Sequence, residues 1–187
     1  AVNVLKHEIS NFLYASSSSV YGDLANYPLS ENEKILNPNS YYGVTKLSNE
    51  LAASALFKNS SVKSRGLRFF SVYGPLGRPD MAYFRIINSA INNQEFKLFG
   101  DGAIKRDFTF IEDAAHIVIK LTEELVARKV NSVDVVNVGG GSPMSINDLL
   151  QIISELRGKK IEIKQLPANP SDSKLTIADT QYLMHLI

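Results

Sequence analysis

The spacing of apolar residues changes along the chain, and each change marks an element. Asn11-Phe12-Leu13-Tyr14-Ala15 is a short apolar and aromatic run that passes straight into four serines, Ser16 to Ser19. A run of this kind predicts a strand buried on both faces of a parallel sheet. The serines then stand at its C-terminal edge, where ligands bind in open α/β sheets. Residues 22–40 carry Gly22, Pro28, Asn37, Pro38 and Asn39 among polar positions and predict a long surface loop, of a length that is commonly functional. Beyond Ser40 the period becomes helical. Val44, Leu47, Leu51 and Ala55 recur three and four apart on one apolar stripe, so a helix Tyr41–Phe57 capped by Ser40 is expected.

Residues 65–72 predict a second buried strand, broken by Tyr73-Gly74-Pro75-Leu76-Gly77-Arg78-Pro79. A helix Ala82–Asn92, a short strand Phe96–Phe99, a Gly100-Asp101-Gly102 turn and a helix Ile111–Ala127 follow. Residues 134–138 read as a third strand stopped by Gly139-Gly140-Gly141, which is better read as a tight turn than as a phosphate cradle. Ser145 with Asp148 resembles a capping box, opening a helix whose Ile146, Leu149, Leu150 and Ile153 share a face. Strands that alternate with helices imply an α/β fold with a parallel sheet. No strand followed by Gly-x-x-Gly-x-x-Gly precedes the serines, so the half of a dinucleotide-binding domain that grips a pyrophosphate is not expected within these residues.

Composition narrows the chemistry. A length of 187 residues suits one domain, or one domain and part of another, and 44% hydrophobic with 21% charged residues belongs to an ordinary globular chain. The absence of cysteine removes disulfides and thiolate chemistry, and three scattered histidines, His7, His116 and His185, leave little for a metal, so no metal site is expected. A net charge of +1 gives no reason to propose a nucleic-acid partner, and any bound anion should be small. No apolar run reaches the length of a membrane span, and the first residues resemble no signal peptide. A cytoplasmic protein is the expectation.

Tyr42 and Lys46 lie four apart on the predicted helix and therefore share a face. The pair alone is a weak motif, since a surface tyrosine beside a solvated lysine has the same spacing. Its setting strengthens it: serines at a strand end, a long loop, then this helix. An ammonium beside a phenol stabilises the phenolate, the form that accepts a proton, and a serine hydroxyl opposite can orient a substrate alcohol. Such parts suit removal of a proton from a carbinol while a hydride leaves to a cofactor.

These residues resemble the extended short-chain dehydrogenase/reductase family, in particular its NAD-dependent nucleotide-sugar epimerases and dehydratases. The likeness rests on residues 12–22 (through Val20-Tyr21-Gly22), Tyr42-Gly43-Val44-Thr45-Lys46, Gly66-Leu67-Arg68-Phe69-Phe70-Ser71-Val72-Tyr73-Gly74-Pro75, and Gly100-Asp101-Gly102 followed by residues 105–111. It implies a partial Rossmann-type parallel sheet with a small α/β substrate domain. Residues 1–75 would be the later part of the NAD-binding domain, and residues 76–187 mostly the substrate domain, with 134–141 returning as a strand to the first sheet. The resemblance makes Ser17, Tyr42 and Lys46 the catalytic group, with Tyr42 as base. It also places NAD against Tyr42, Lys46, Phe69, Phe70 and Val72, and a UDP-sugar against Ser18, Ser19, Ser71, Arg78 and Arg106. For Arg78 and Arg106 the alternative is a surface ion pair with a neighbouring acid. A homodimer of the full-length protein is implied as well.

Within the family, dehydratases and decarboxylases carry acidic residues directly after the catalytic hydroxyl, where this chain has Ser18 and Ser19; relatives that epimerise at two carbons use a cysteine, which is absent. An epimerase is favoured. Many hexose and N-acetylhexosamine enzymes carry Asn at the position of Ser71. A hydroxyl there, followed by Gly77-Arg78-Pro79-Asp80-Met81, looks most like the UDP-glucuronate 4-epimerases. The alternatives are a UDP-glucose or other nucleotide-sugar 4-epimerase or dehydratase, or a non-catalytic nucleotide-sugar-binding homologue.

Overall fold

A computed structural model describes residues 9–24, 26–168 and 175–187; His7 lies outside them. The first sheet is formed by β1 (Asn11–Ser17), β2 (Lys63–Phe69) and β6 (Val133–Val138), in the order β1-β2-β6 and parallel throughout. Its register pairs Ser17 with Phe69 and Phe69 with Val138, so all three strands end on one line. Side chains alternate across the sheet. Phe12 and Tyr14 pack on one face with Phe57 of α1 (Tyr41–Phe57), while Leu13, Leu67, Val136 and Val138 pack on the other with Ala114 and Leu121 of α3 (Ile111–Ala127) and Leu183 of α5 (Gln181–Leu186). Helices therefore cover both faces.

A second sheet joins β3 (Ser71–Tyr73) in parallel to β5 (Lys105–Phe110), which pairs antiparallel with β7 (Pro143–Ser145). A third pairs β4 (Phe96–Phe99) in parallel with β8 (Ile163–Leu166). Over it lie α2 (Ala82–Asn92) and α4 (Ile146–Arg157), burying Ile86, Ala90, Phe96, Leu98, Leu150 and Ile161 in a separate core. The capping box of α4 is formed: the Ser145 hydroxyl accepts from the Asp148 N–H and the Asp148 carboxylate accepts from the Ser145 N–H.

Three sequence expectations need correction. The single strand over 65–72 is two. Phe70 N–H donates to the Val138 carbonyl at 3.0 Å and closes the first sheet, its ring drops into a core with Val20, Tyr21 and Leu29, and the chain resumes in the second sheet as β3. The residues between the Gly100-Asp101-Gly102 turn and α3 form β5, a strand that hydrophobic alternation cannot show because its inward residues are polar, Asp107 and Thr109. The apolar stripe of α1 does not face the core: Val44, Leu51 and Ala55 are exposed and only Leu47 is partly covered, whereas Gly43, Glu50, Ala53 and Phe57 are buried. The middle of that inner face, at Glu50, lies over the polar side chains of Ser16 and Arg68, and its last turns, at Ala53 and Phe57, lie over Phe12, Tyr14 and Val133. The described part of the loop over 22–40 lies largely at the surface, as expected, and is anchored at Leu29. Leu29 is buried, its N–H donates to the Ile177 carbonyl at 2.8 Å, and Asp179 N–H donates back to the Leu29 carbonyl at 2.9 Å.

Gly139-Gly140-Gly141 is a turn in which two of the N–H donors are engaged within the chain. Gly140 and Gly141 N–H groups each donate to the buried Asp107 carboxylate at 2.9 Å, as does Ala178 N–H. Among the described residues no helix is long and apolar enough to cross a membrane, and no group of three His, Cys, Asp or Glu side chains could hold a metal ion.

Candidate active site

Ser17 ends β1 and caps a single turn of 3-10 helix, Ser18–Val20. Its hydroxyl accepts from the Ser19 N–H and donates to Ser19 Oγ, both at 3.1 Å. Ser40 caps α1, its hydroxyl accepting from Gly43 N–H at 3.1 Å, which fixes where the first turn of the helix begins and so where Tyr42 stands. Tyr42 is half exposed. One turn on, the Lys46 ammonium lies 5.5 Å from the centre of the Tyr42 ring and donates to the Ala15 carbonyl of β1 at 3.0 Å. The lysine is thus held between the tyrosine and the strand that delivers Ser17.

A cleft of about 520 Å³ opens at the C-terminal edge of the first sheet. It is lined by Ser17, Ser18, Ser19 and Tyr42 together with Phe69, Phe70, Ser71 and Arg78. An adjoining cleft of about 310 Å³ shares Ser71 and Met81 with it and is lined further by Arg85, Phe99 and Arg106. The structure therefore brings the predicted serines, Tyr42 and Ser71 together, and places Arg106 one cleft away, where its guanidinium also donates to the Lys105 carbonyl at 3.1 Å. Arg78 reaches the cleft wall while exposed and clamped by Asp80 through two hydrogen bonds, the Nε–Oδ1 one at 3.0 Å. Val72 turns its side chain to the core cluster around Leu67 and Val136 and does not line the cleft.

Sequence reasoning passed over a buried polar group beneath this site. Ser16 Oγ donates to Glu50 Oε1, and Arg68 donates to both Glu50 oxygens at 2.9 and 2.8 Å. The guanidinium lies 4.7 Å over the Tyr21 ring, and Tyr21 donates to Asn137 Oδ1 at 2.7 Å. Burial works against the Arg68 charge, but the hydrogen-bonded Glu50 carboxylate and Tyr21 more than offset it and hold its pKa above the ordinary value. Burial pushes the Tyr21 phenol up to about 12, against the pull of Arg68, so it stays a neutral donor. Two signals for this group were present in the sequence: an arginine inside an apolar strand, and a carboxylate four residues after Lys46 on the same helix face.

The family model for the NAD dependent epimerase/dehydratase family matches residues 2–139. The UDP-glucuronate 4-epimerase of Thermodesulfobacterium geofontis is 36% identical over 172 residues, covering 91% of this chain and 51% of its own length. The solved UDP-glucuronic acid 4-epimerase from Bacillus cereus, in complex with UDP-glucuronic acid and NAD, superposes with a TM-score of 0.83 at 36% identity over 94% of this chain and 55% of that one. A UDP-N-acetylglucosamine 4-epimerase from Methanobrevibacter ruminantium in complex with UDP-N-acetylmuramic acid superposes with a TM-score of 0.88 at 30% identity, over 99% and 59%. The chain spans about half the length of the curated relatives it matches. With its helix-covered parallel sheet and the serine, tyrosine and lysine gathered at that sheet's edge, the chain belongs to the NAD dependent epimerase/dehydratase family.

Proposed function

We propose that these residues carry the catalytic group of a nucleotide-sugar epimerase that acts on UDP-glucuronate at C4. The observation that carries this reading is the meeting of Ser17 and Tyr42 on one cleft, with Lys46 against the Tyr42 ring and held by Ala15. In this reading residues 1–75 belong to the dinucleotide-binding domain, to which 134–141 return, and the rest of 76–187 forms most of the substrate domain. The separate core of α2, α4 and β4 supports that division. The outward apolar stripe of α1 supplies a face on which a second copy would pack.

The cleft suits the reactive end of a nicotinamide cofactor and a sugar ring: it lies at the C-terminal edge of parallel strands and is lined by the aromatic residues Tyr42, Phe69 and Phe70 together with several serines. Tyr42, Lys46, Phe69 and Phe70 would hold NAD there, with the Val72 backbone beyond. When bound, NAD supplies a hydride acceptor and donor. Tyr42 takes the proton from the C4 hydroxyl, Ser17 orients that hydroxyl, and Lys46 supplies a positive charge beside the tyrosine ring. Once the 4-keto sugar has turned, the same tyrosine would return the proton to its C4 oxygen, which gives the inverted alcohol. Arg106 faces the diphosphate from the adjoining cleft, with Arg78 as a second contact.

The preference for a uronate rests on Ser17, Ser18, Ser19 and Ser71, whose residues line the same cleft. Their hydroxyls offer a sugar carboxylate charge-assisted hydrogen bonds worth about 1.5–3 kcal/mol each, which a neutral hydroxymethyl does not gain. Overall fold does not decide the sugar, since the N-acetylglucosamine enzyme superposes at least as well as the glucuronate one. In the enzyme that carries these residues together with a dinucleotide-binding half, kcat/KM for UDP-glucuronate should exceed that for UDP-glucose by about tenfold or more, and Ser71→Asn should narrow the gap. Tyr42→Phe should lower kcat by about 10²- to 10⁴-fold with little change in UDP-sugar affinity. Equal kcat/KM values for the two sugars would overturn the uronate assignment.

A further inference from the structure

We infer that Glu50 is the positioning residue of this site, setting the separation of Tyr42 and Ser17 through its grip on Ser16 and Arg68; the inference rests on the catalytic reading above. The helix that carries Tyr42 touches the strand that carries Ser17 at two polar points one turn apart. Lys46 donates to the Ala15 carbonyl, and Glu50 accepts from the Ser16 hydroxyl. The Glu50 carboxylate then reaches Arg68 on β2 with both oxygens.

The register gives these contacts their meaning. Ser16 pairs with Arg68, and Arg68 pairs with Asn137, so one residue from each strand forms a polar row across the sheet. The next row, Ser17, Phe69 and Val138, is the edge on which the cleft opens. Glu50 ties the first two members of the polar row to α1, and Tyr21 ties the second to the third. Glu50, Ser16, Arg68 and Asn137 are all buried. Folding alone does not call for such a row, because burying an ion pair costs desolvation that apolar side chains of similar volume avoid. Apolar packing, however, resists sliding of a helix along a sheet only weakly. Directional bonds at the last turn before the edge fix both the height and the rotation of α1, and small displacements at a reacting centre are costly in rate.

Ser16→Ala removes the hydroxyl and leaves the Glu50–Arg68 pair in place, so it is the gentle variant. In the complete enzyme it should lower kcat roughly tenfold or more while KM for the UDP-sugar stays within about twofold, and Ser16→Thr, which keeps a hydroxyl, should restore most of the rate. In the 187-residue chain without ligands, the same change should speed amide exchange in residues 17–20 and the first turns of α1 and leave α2 and α4 unaltered. An unchanged kcat, a rise in KM alone, or an equal loss in Ser16→Thr would overturn the positioning role. Glu50→Gln should lower kcat further, and adding Ser16→Ala to it should change little; should Glu50→Gln fail to fold, the Ser16 series still decides. Tyr42→Phe run alongside separates the two levels: if it keeps its rate, the catalytic reading fails whatever the Ser16 variants do.

Discussion

Glu31 shows how one side chain in this molecule bears opposing demands. Its carboxylate accepts from the Asn137 N–H at 2.7 Å and so pins the long loop to β6. Burial raises its pKa above the ordinary carboxylate value, more than the backbone hydrogen bonds lower it, and the charge of Asp179 adds to the rise. A carboxyl with a raised folded-state pKa favours folding while it is protonated, and that contribution is lost as pH rises through the folded value. Glu31→Gln keeps an acceptor for Asn137 and has no charge to bury. The variant should therefore melt higher than the parent at about pH 7, and the difference should vanish near about pH 4, below the ordinary glutamate value. Parallel melts at the two pH values check this; a variant that melts lower at neutral pH would show that the charge itself, and not the hydrogen bond, holds the loop.

Elements meet in this protein at places where a single backbone atom decides the fit. Gly22 opens the loop over 22–40 with φ of 64°, and a Cβ built there would stand 1.8 Å from the Asn37 carbonyl oxygen, the residue with which Gly22 forms a parallel bridge. The bridge brings the end of the loop back to its start and so sets where Ser40 begins α1. Gly22→Ala carries a left-handed penalty of about 1–2 kcal/mol and a backbone clash of about 1–3 kcal/mol. At Gly141, with φ of 66°, the nearest atom is 3.6 Å away, so only the first of these costs applies. Urea unfolding should show Gly22→Ala to be clearly the more damaging of the two alanine substitutions, and equal losses would mean that the loop simply shifts. Strand β5 belongs to the same scale. It is read poorly from pattern because Asp107, which it buries, is satisfied by Gly140, Gly141 and Ala178, residues far away in the chain.

For the whole molecule, the relevant fact is that these residues span about half the length of the relatives they match. They include the cleft proposed above for the reactive end of NAD, but not the Gly-x-x-Gly-x-x-Gly sequence, which presents backbone N–H groups and a helix N-terminus to a pyrophosphate. The 187-residue chain by itself should accordingly bind NAD weakly and turn nothing over. Calorimetry with the isolated chain is the measurement, and a dissociation constant in the micromolar range would show that the pyrophosphate is gripped by residues within it.

What the sequence by itself determined is local: the helices Tyr41–Phe57, Ala82–Asn92 and Ile111–Ala127 and the strand Phe96–Phe99, whose bounds the structure repeats, because apolar period, caps and glycine turns act within a few residues. The pairing of Tyr42 and Lys46 one helical turn apart and the serines that end an apolar run were legible for the same reason, whereas the roles proposed for them rest on the likeness to a family and not on that spacing. Tertiary structure alone decided which face of α1 turns inward, where residues 65–72 leave one sheet for another, and that Ser16, Arg68 and Asn137 lie in one row with Glu50 over it. Each of these depends on partners tens of residues away, and buried polar groups are stabilised by those partners rather than by any spacing in the chain. A charged residue therefore reads as exposed until the atom that hydrogen-bonds it is known.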